Sequence, residues 1–222
     1  MQATERRWRF KGPEMEGAMA RWYAGLRRSG SQIEEYRRQA GQLTKGLPEG
    51  AAVLEVAPGP GYQAIEVARL GFRVTGLDIS HTFVQIAGDN ARQAGVKVDF
   101  QQGDVAVMPF AAESFDLVIC QAAFKNFVHP VRALYEMHRV LRTGGTVVIQ
   151  DMSSEATHAD IDKEVQGMEL GWLSTFTTKA TLEMLKRRAY TPATFERLVA
   201  ASPFGTSIIQ TEGISLAVRL EK

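Results

Sequence analysis

A single cysteine stands in these 222 residues, so the chain can build neither a disulfide framework nor a multi-cysteine metal site. That residue, Cys120, closes the apolar run Leu117-Val118-Ile119-Cys120 and reads as buried filler. Long hydrophobic runs are also missing, and none approaches the roughly 20 residues needed to span a bilayer. Nothing in the opening residues reads as a secretory or transit signal, so the expectation is a cytoplasmic protein with no membrane partner. Net charge is scarce as well. With 26 Lys and Arg against 25 Asp and Glu the formal charge is +1, which leaves no electrostatic footprint for nucleic acid or an anionic membrane. The first fifty residues are more basic, ten Lys and Arg against six Asp and Glu. Their signs are interspersed, as on a solvated helix face. Repeats are absent, and no His/Asp/Glu cluster has metal-ligand spacing, so no metal is expected.

What is present is an ordinary globular composition, 45% hydrophobic and 23% charged, in a chain long enough for one core and one decoration. Its organising stretch is Val53-Leu54-Glu55-Val56-Ala57-Pro58-Gly59-Pro60-Gly61. Apolar residues around one carboxylate, a turn of small residues and then Ile65, Ala68 and Leu70 read as a buried strand, a glycine loop and a helix. Gly59 and Gly61 lack the Cβ atoms that would block a ligand, and the helix start offers free N–H groups. Gly59-x-Gly61-x-x-Ala64 alone is a weak signal, because it also satisfies the permissive dinucleotide fingerprint. A second strand, Arg73 to Asp78, ends in an acid spaced to meet a ribose, and Ser80 is a good N-cap after it. Gly103-Asp104 follows a third strand pattern, Val96 to Phe100.

Glu55 to Gly61, Leu77-Asp78-Ile79-Ser80, Gly103-Asp104 with Met108-Pro109-Phe110, Ser114 to Val118, and Arg139-Val140-Leu141-Arg142-Thr143-Gly144-Gly145 fall in one order. Over residues 50–151 this order resembles the class I S-adenosylmethionine-dependent methyltransferases, especially the small-molecule branch that includes quinone-biosynthesis enzymes. The resemblance implies a Rossmann-like, doubly wound, seven-stranded α/β sheet, mostly parallel and closed by an antiparallel C-terminal hairpin. It implies S-adenosylmethionine as cofactor and S-adenosylhomocysteine as product. It places Asp78 on the ribose hydroxyls and Glu55 toward the methionyl ammonium. Ala57, Gly59 and Gly61 form the loop floor. Asp104 with the Val105 backbone meets the adenine amino group, Ile79 flanks the ring, and Gln121 lies at the fourth strand end. Tyr23, on an N-terminal lid helix, would reach the methionyl carboxylate. Ala57 departs from the family pattern, which has glycine there, and prolines stand at 58 and 60.

The chain reads as one domain: an N-terminal arm and lid helices (1–45), a cofactor-binding core (46–151), a helical substrate-side insertion (152–190), and a last helix with the hairpin (191–222). The 14–44 segment reads as two helices broken near Ser29-Gly30-Ser31, with Met15, Met19, Trp22, Tyr23 and Leu26 on the first. A helix is expected from Pro130 to Leu141, with Val131, Leu134, Tyr135 and His138 on one face and Gly144-Gly145 ending it before strand 5. Thr191-Pro192 is a strong helix start.

Methyl transfer from a sulfonium is an in-line displacement, and the protein mainly aligns the reactants and excludes water. Candidate catalytic residues are Asp151 at the end of strand 5, and Asn126 and His129 after strand 4. Relatives often carry His-His-Phe where this chain has Lys125-Asn126-Phe127, which leaves a histidine base in doubt. Phe124, Phe127, Met168, Trp172, Phe176 and Met184 are candidates for an apolar pocket, or equally for core. The expected partner is a small-molecule methyl acceptor, with no nucleic acid, and the chain is expected to be a monomer or homodimer. The alternatives are a cofactor-binding protein of this type without transfer activity and an NAD(P)-dependent oxidoreductase.

Overall fold

The computed structural model describes residues 15–167 and 172–222. The expected arm over residues 1–12, and Met168, lie outside the described residues.

Five strands run parallel: β1 (Ala52–Val56), β2 (Arg73–Asp78), β3 (Val98–Gln102), β4 (Phe115–Gln121) and β5 (Leu141–Met152). Two more, β6 (Ile208–Glu212) and β7 (Ser215–Glu221), pair antiparallel, and β7 inserts beside β5 to give the order β3-β2-β1-β4-β5-β7-β6. The expected seven-stranded sheet with a closing hairpin is therefore present. The strand order reverses between β1 and β4, and the cleft at the carboxyl ends there is where such sheets bind ligands.

Helices cover the sheet. β1 and β4 are buried apolar runs, with Val53, Leu54, Val118, Ile119 and Cys120 fully inaccessible. On one side Val53, Leu117 and Ile119 pack with Ala40 of α2 (Gly30–Leu43) and with Ala64 and Val67 of α3 (Tyr62–Arg69). On the other, Leu54, Val118 and Val147 pack with Leu134 and Met137 of α5 (Pro130–Val140) and Phe195 and Val199 of α8 (Pro192–Ala200). Thr191 caps α8, its hydroxyl accepting the Thr194 N–H at 3.0 Å, as Pro192 at the first turn requires. The helix break near residue 30 is the N-cap of α2, where Ser29 accepts the Gln32 N–H. Glu66, buried on α3, receives Arg37 of α2 at 3.2 Å and ties the two helices. The insertion folds as α6 (His158–Gly167) and α7 (Trp172–Lys186), with its own small core of Met152, Ile161, Val165 and Leu182.

Four expectations need correction. Strand β3 starts two residues later than the pattern suggested, because Gly95 ends α4 (His81–Ala94) in the left-handed region and the Val96 N–H still bonds to Ala91 C=O. Gly144-Gly145 do not end a helix. α5 stops at Val140, and β5 begins at Leu141, which pairs with Phe115 before the register jumps to Thr146 opposite Leu117. Leu141 is fully buried at this early pairing. On α5 the buried face is Ala133, Leu134, Met137 and Val140, while Tyr135 points out at 51% exposed. The first helix, α1 (Gly17–Leu26), likewise buries its alanines, Ala20 and Ala24, and exposes Met19, Trp22 and Leu26. Small residues there let α1 sit close against its neighbours.

Candidate cofactor and active site

The turn after β1 is held in an unusual backbone state. Ala57, Gly59 and Gly61 all have positive φ, 54°, 53° and 80°. Glycine adopts that region freely, but alanine pays about 1–2 kcal/mol. Ala57 is held there by its N–H bond to Leu77 C=O of β2 at 2.8 Å. The two glycines then divide the work. A Cβ on Gly59 would meet nothing within 4 Å, so its face is open to a ligand. A Cβ on Gly61 would come within 2.8 Å of both Ala87 and Phe100. Gly61 is therefore also needed for packing against Ala87 of α4 and Phe100 of β3.

Asp78 ends β2 beneath this turn and is 5% exposed. Its Oδ2 accepts the Gly59 N–H at 3.0 Å and its Oδ1 accepts the Ser80 N–H at 2.9 Å. Each oxygen keeps a lone pair, so the carboxylate braces the loop and still has capacity for a diol. Burial, aided by the nearby Glu16 charge, pushes its pKa up to about 6 despite these N–H donors.

Glu55 lies one strand over, 4% exposed. Its Oε2 has no hydrogen-bond partner among the described residues. Burial raises its pKa to about 8, the Ala64 N–H opposes this, and Asp78 adds to it. A buried carboxyl oxygen without a donor is costly, on the order of 1–3 kcal/mol, and such groups need an external reason.

The segment leading into α1 lies against this region. Glu16 accepts the His81 and Thr82 N–H groups at 2.8 and 3.1 Å, and Ser80 Oγ donates to Met15 C=O at 2.7 Å. Glu16 thus caps α4 alongside Ser80, whose Oγ accepts the Phe83 N–H. Tyr23, on α1, is half-buried and packs edge-on against Phe83 at 5.9 Å. Across the cleft, Asp104 caps a short 3-10 turn, Val105–Val107, by accepting the Ala106 N–H at 2.8 Å. Val105 and Met108 are buried and Ile79 half-buried beside this turn's sequence neighbours. Glu136 and Arg139 of α5 hold the following loop: Glu136 accepts the Met108 N–H at 2.7 Å, and Arg139 donates to Phe110 C=O at 2.7 Å. Sequence reading passed over Glu16 and Glu136, because long-range caps leave no local spacing signal.

The ends of β4 and β5 carry a different chemistry. Asp151 accepts Lys125 Nζ at 2.5 Å, the Lys125 N–H at 2.9 Å and the Met152 N–H at 2.8 Å. Lys125 Nζ also donates to Ala122 C=O at 2.7 Å. Both side chains of the pair are 4% exposed. Asp151 is therefore engaged in an ion pair at the β5 end. His129 is exposed and only precedes α5, without a side-chain cap bond. Asn126 is half-buried on the 3-10 turn Phe124–Asn126. Gln121 donates to Gln39 of α2 at 3.0 Å and to Gln150 at 2.6 Å, so its amide nitrogen is engaged by protein groups. Phe124 is core, one of the two roles expected for it, with its ring 4.8 Å from that of Phe195, and Phe176 is 71% exposed. Among the described residues no helix is long and apolar enough to cross a membrane.

The residues at the β1 and β2 ends fit a sulfonium nucleoside with an amino-acid tail. The orphaned Glu55 oxygen matches an ammonium, and the open face of Gly59 leaves room beside Asp78.

Comparison with known proteins agrees. The family described as Methyltransferase domain matches residues 54–149. The chain is 33% identical over 122 residues to the demethylmenaquinone methyltransferase of Renibacterium salmoninarum, covering 55% of this chain and 49% of that protein. It is 37% identical over 106 residues to the ubiquinone/menaquinone biosynthesis C-methyltransferase UbiE of Bdellovibrio bacteriovorus, covering 47% and 45%. The chain thus spans about half the length of the curated relatives it matches. A crystal structure of a SAM-dependent methyltransferase from Aquifex aeolicus superposes with a TM-score of 0.66 at 16% identity, covering 90% of this chain and 96% of that one, which shows the shared fold. Residues 54–149 are thus similar to the Methyltransferase domain family, the sheet has the fold of the solved methyltransferase, and the chain resembles the quinone-biosynthesis methyltransferases named above.

Proposed function

We propose that this chain transfers a methyl group from S-adenosylmethionine to a small-molecule acceptor by in-line displacement. The observation that carries this reading is the buried, donorless Oε2 of Glu55 beside the loop braced by Asp78. In this reading Glu55 holds the cofactor's ammonium, Asp78 the ribose diol, and Gly59 the open floor. Asp104 and the Val105 backbone meet the adenine amino group, with Ile79 beside the ring, and Tyr23 faces the tail from α1. When bound, the cofactor supplies a methyl carried on a positive sulfur, already activated for transfer. The protein then contributes alignment and dryness. With Asp151 neutralised by Lys125, the reading assigns no carboxylate base to the β5 end. Asn126 and His129 remain the polar candidates on the acceptor side, and Gln121 serves that side through Gln39 and Gln150. The relatives named for quinone precursors favour an aromatic acceptor of that kind, methylated in the cytoplasm by a monomer or homodimer.

Titration calorimetry with S-adenosylmethionine, S-adenosylhomocysteine and NADH tests the reading. Micromolar binding of the two adenosyl compounds and none of NADH is expected. Binding of NADH alone would replace methyl transfer with hydride chemistry.

A further inference from the structure

Three glutamines meet where β4 and β5 end beneath α2. Gln121 and Gln150 are register partners on the two strands, and Gln39 reaches them from α2. All three are half-buried. Gln121 Nε2 donates to Gln39 Oε1 at 3.0 Å and to Gln150 Oε1 at 2.6 Å. Gln39 Nε2 donates in turn to Glu35 Oε1 at 2.6 Å. Arg38 grips Glu35 with both nitrogens of its fork, Nε at 2.9 Å and Nη2 at 2.6 Å. These bonds hold the Glu35 carboxyl below its ordinary pKa, so it is charged at neutral pH.

Glu35 sets the direction of this relay. An amide has a donor end and an acceptor end, and its partners decide which way round it sits. A carboxylate only accepts. Glu35 therefore draws the Gln39 amide nitrogen and turns the Gln39 oxygen towards Gln121. Gln121 answers with its own nitrogen, whose two hydrogens go to Gln39 and Gln150. Two groups are left over at the strand ends: the Gln121 oxygen, which accepts, and the Gln150 nitrogen, which donates. Neither has a hydrogen-bond partner among the described residues.

Both lie beside the proposed site. Val53 and Ile119 share the face of the sheet that α2 and α3 cover. Glu55 and Gln121 follow them by two residues and so share that face. Glu55 pairs in register with Ile119. Gln121 thus stands one strand from Glu55 and Gln150 two strands, on the way to the β5 end. A group that satisfies both amides must donate to one and accept from the other. A neutral hydroxyl does this. A carboxylate or an ether cannot donate, and an ammonium cannot accept.

We infer that Gln121 and Gln150 select a methyl acceptor carrying a neutral hydroxyl, and that Gln39 and Glu35 position the pair from α2. This assignment rests on the methyl-transfer reading above and names the class of acceptor for that site.

The test uses the full chain loaded with S-adenosylhomocysteine and three probes that differ at one substituent: α-naphthol, α-methoxynaphthalene and α-naphthoate. Ligand-observed NMR titration should show the naphthol binding about tenfold tighter than the other two, the scale of one or two neutral hydrogen bonds. Gln150→Met should reduce that preference below twofold. Glu35→Gln, at a side chain 43% exposed, should reduce it at least threefold and speed solvent exchange of the Gln121 side-chain amide protons. A purely structural role for the glutamines would lower melting temperatures and leave the preference in place. A wild type with no preference for the naphthol, or a folded Gln150→Met that keeps it, would overturn the hydroxyl assignment while leaving the cofactor reading intact. Unchanged preference and exchange in Glu35→Gln would reject the relay, and that variant decides alone if Gln150→Met does not fold. Failure of S-adenosylhomocysteine itself to bind would overturn both readings.

Discussion

Two buried carboxyl sites stand at the ends of β1 and β5, on either side of β4, and have opposite electrostatic states. Asp151 at the end of β5 is complete, with a lysine ammonium and two backbone N–H groups within 2.9 Å. Glu55 at the end of β1 is incomplete, with one oxygen bare and its pKa raised to about 8 by burial. The first is a staple between β5 and the turn after β4. The second is a socket whose cost in the empty protein becomes binding energy when a cation arrives. Burial alone does not separate them, since both are nearly inaccessible. Whether the protein supplies the partner does.

The largest expected effect comes from breaking the staple. Lys125→Met leaves Asp151 buried with no counter-charge, and should cost about 3–5 kcal/mol in denaturant unfolding. The double variant Lys125→Met with Asp151→Leu should lose less than either single change. Equal losses would mean the pair is solvated and carries little.

Next is the socket. Glu55→Gln should weaken S-adenosylmethionine binding by about 2 kcal/mol, through loss of a charge-assisted bond, while leaving the fold intact. Asp78→Ala should abolish detectable binding, because it removes the diol acceptor and frees the Gly59 and Ser80 N–H groups. Unchanged affinity would take Asp78 out of the site.

The two sites should also differ in pH response. Glu55 and Asp78 have folded-state pKa values near 8 and 6, above their ordinary values of 4.5 and 3.8. The folded protein holds their protons longer than the unfolded chain. Their contribution to stability is therefore full below about pH 4 and is lost as pH rises through 6 and then 8. Glu55→Gln should flatten the upper part of that decline in thermal melts. Binding of the cationic cofactor near pH 7 should release a proton from Glu55. Calorimetry in buffers of different ionisation enthalpy would show this as a buffer-dependent heat, absent in Glu55→Gln.

The smallest effect belongs to the turn between the strands. Ala57→Gly should raise stability by at most about 1 kcal/mol, since relief of the positive φ is partly offset by a freer unfolded chain. A clear loss would mean that the Ala57 methyl packs usefully.

The alternation of strands and helices, the N-caps Ser80 and Thr191, and the acid ending the second strand at 78 were legible because each rests on local spacing. An apolar run followed by glycines, or a hydroxyl three residues before a helix N–H, carries its own meaning. What the sequence left open or misplaced shares one cause. Asp151 could face the pocket or serve as a cap, Phe124 could be pocket wall or core, and Gly144-Gly145 looked like a helix stop. Each was settled by a partner distant in sequence: Lys125, Phe195 and the buried pairing of Leu141. Sequence alone determined that this chain alternates strands and helices around a glycine turn, with acids at 55 and 78, since periodicity and turn chemistry act over a few residues. Only the tertiary structure decided which acid is neutralised and which is left bare, because charges are paired through space across strands and helices that no spacing rule connects.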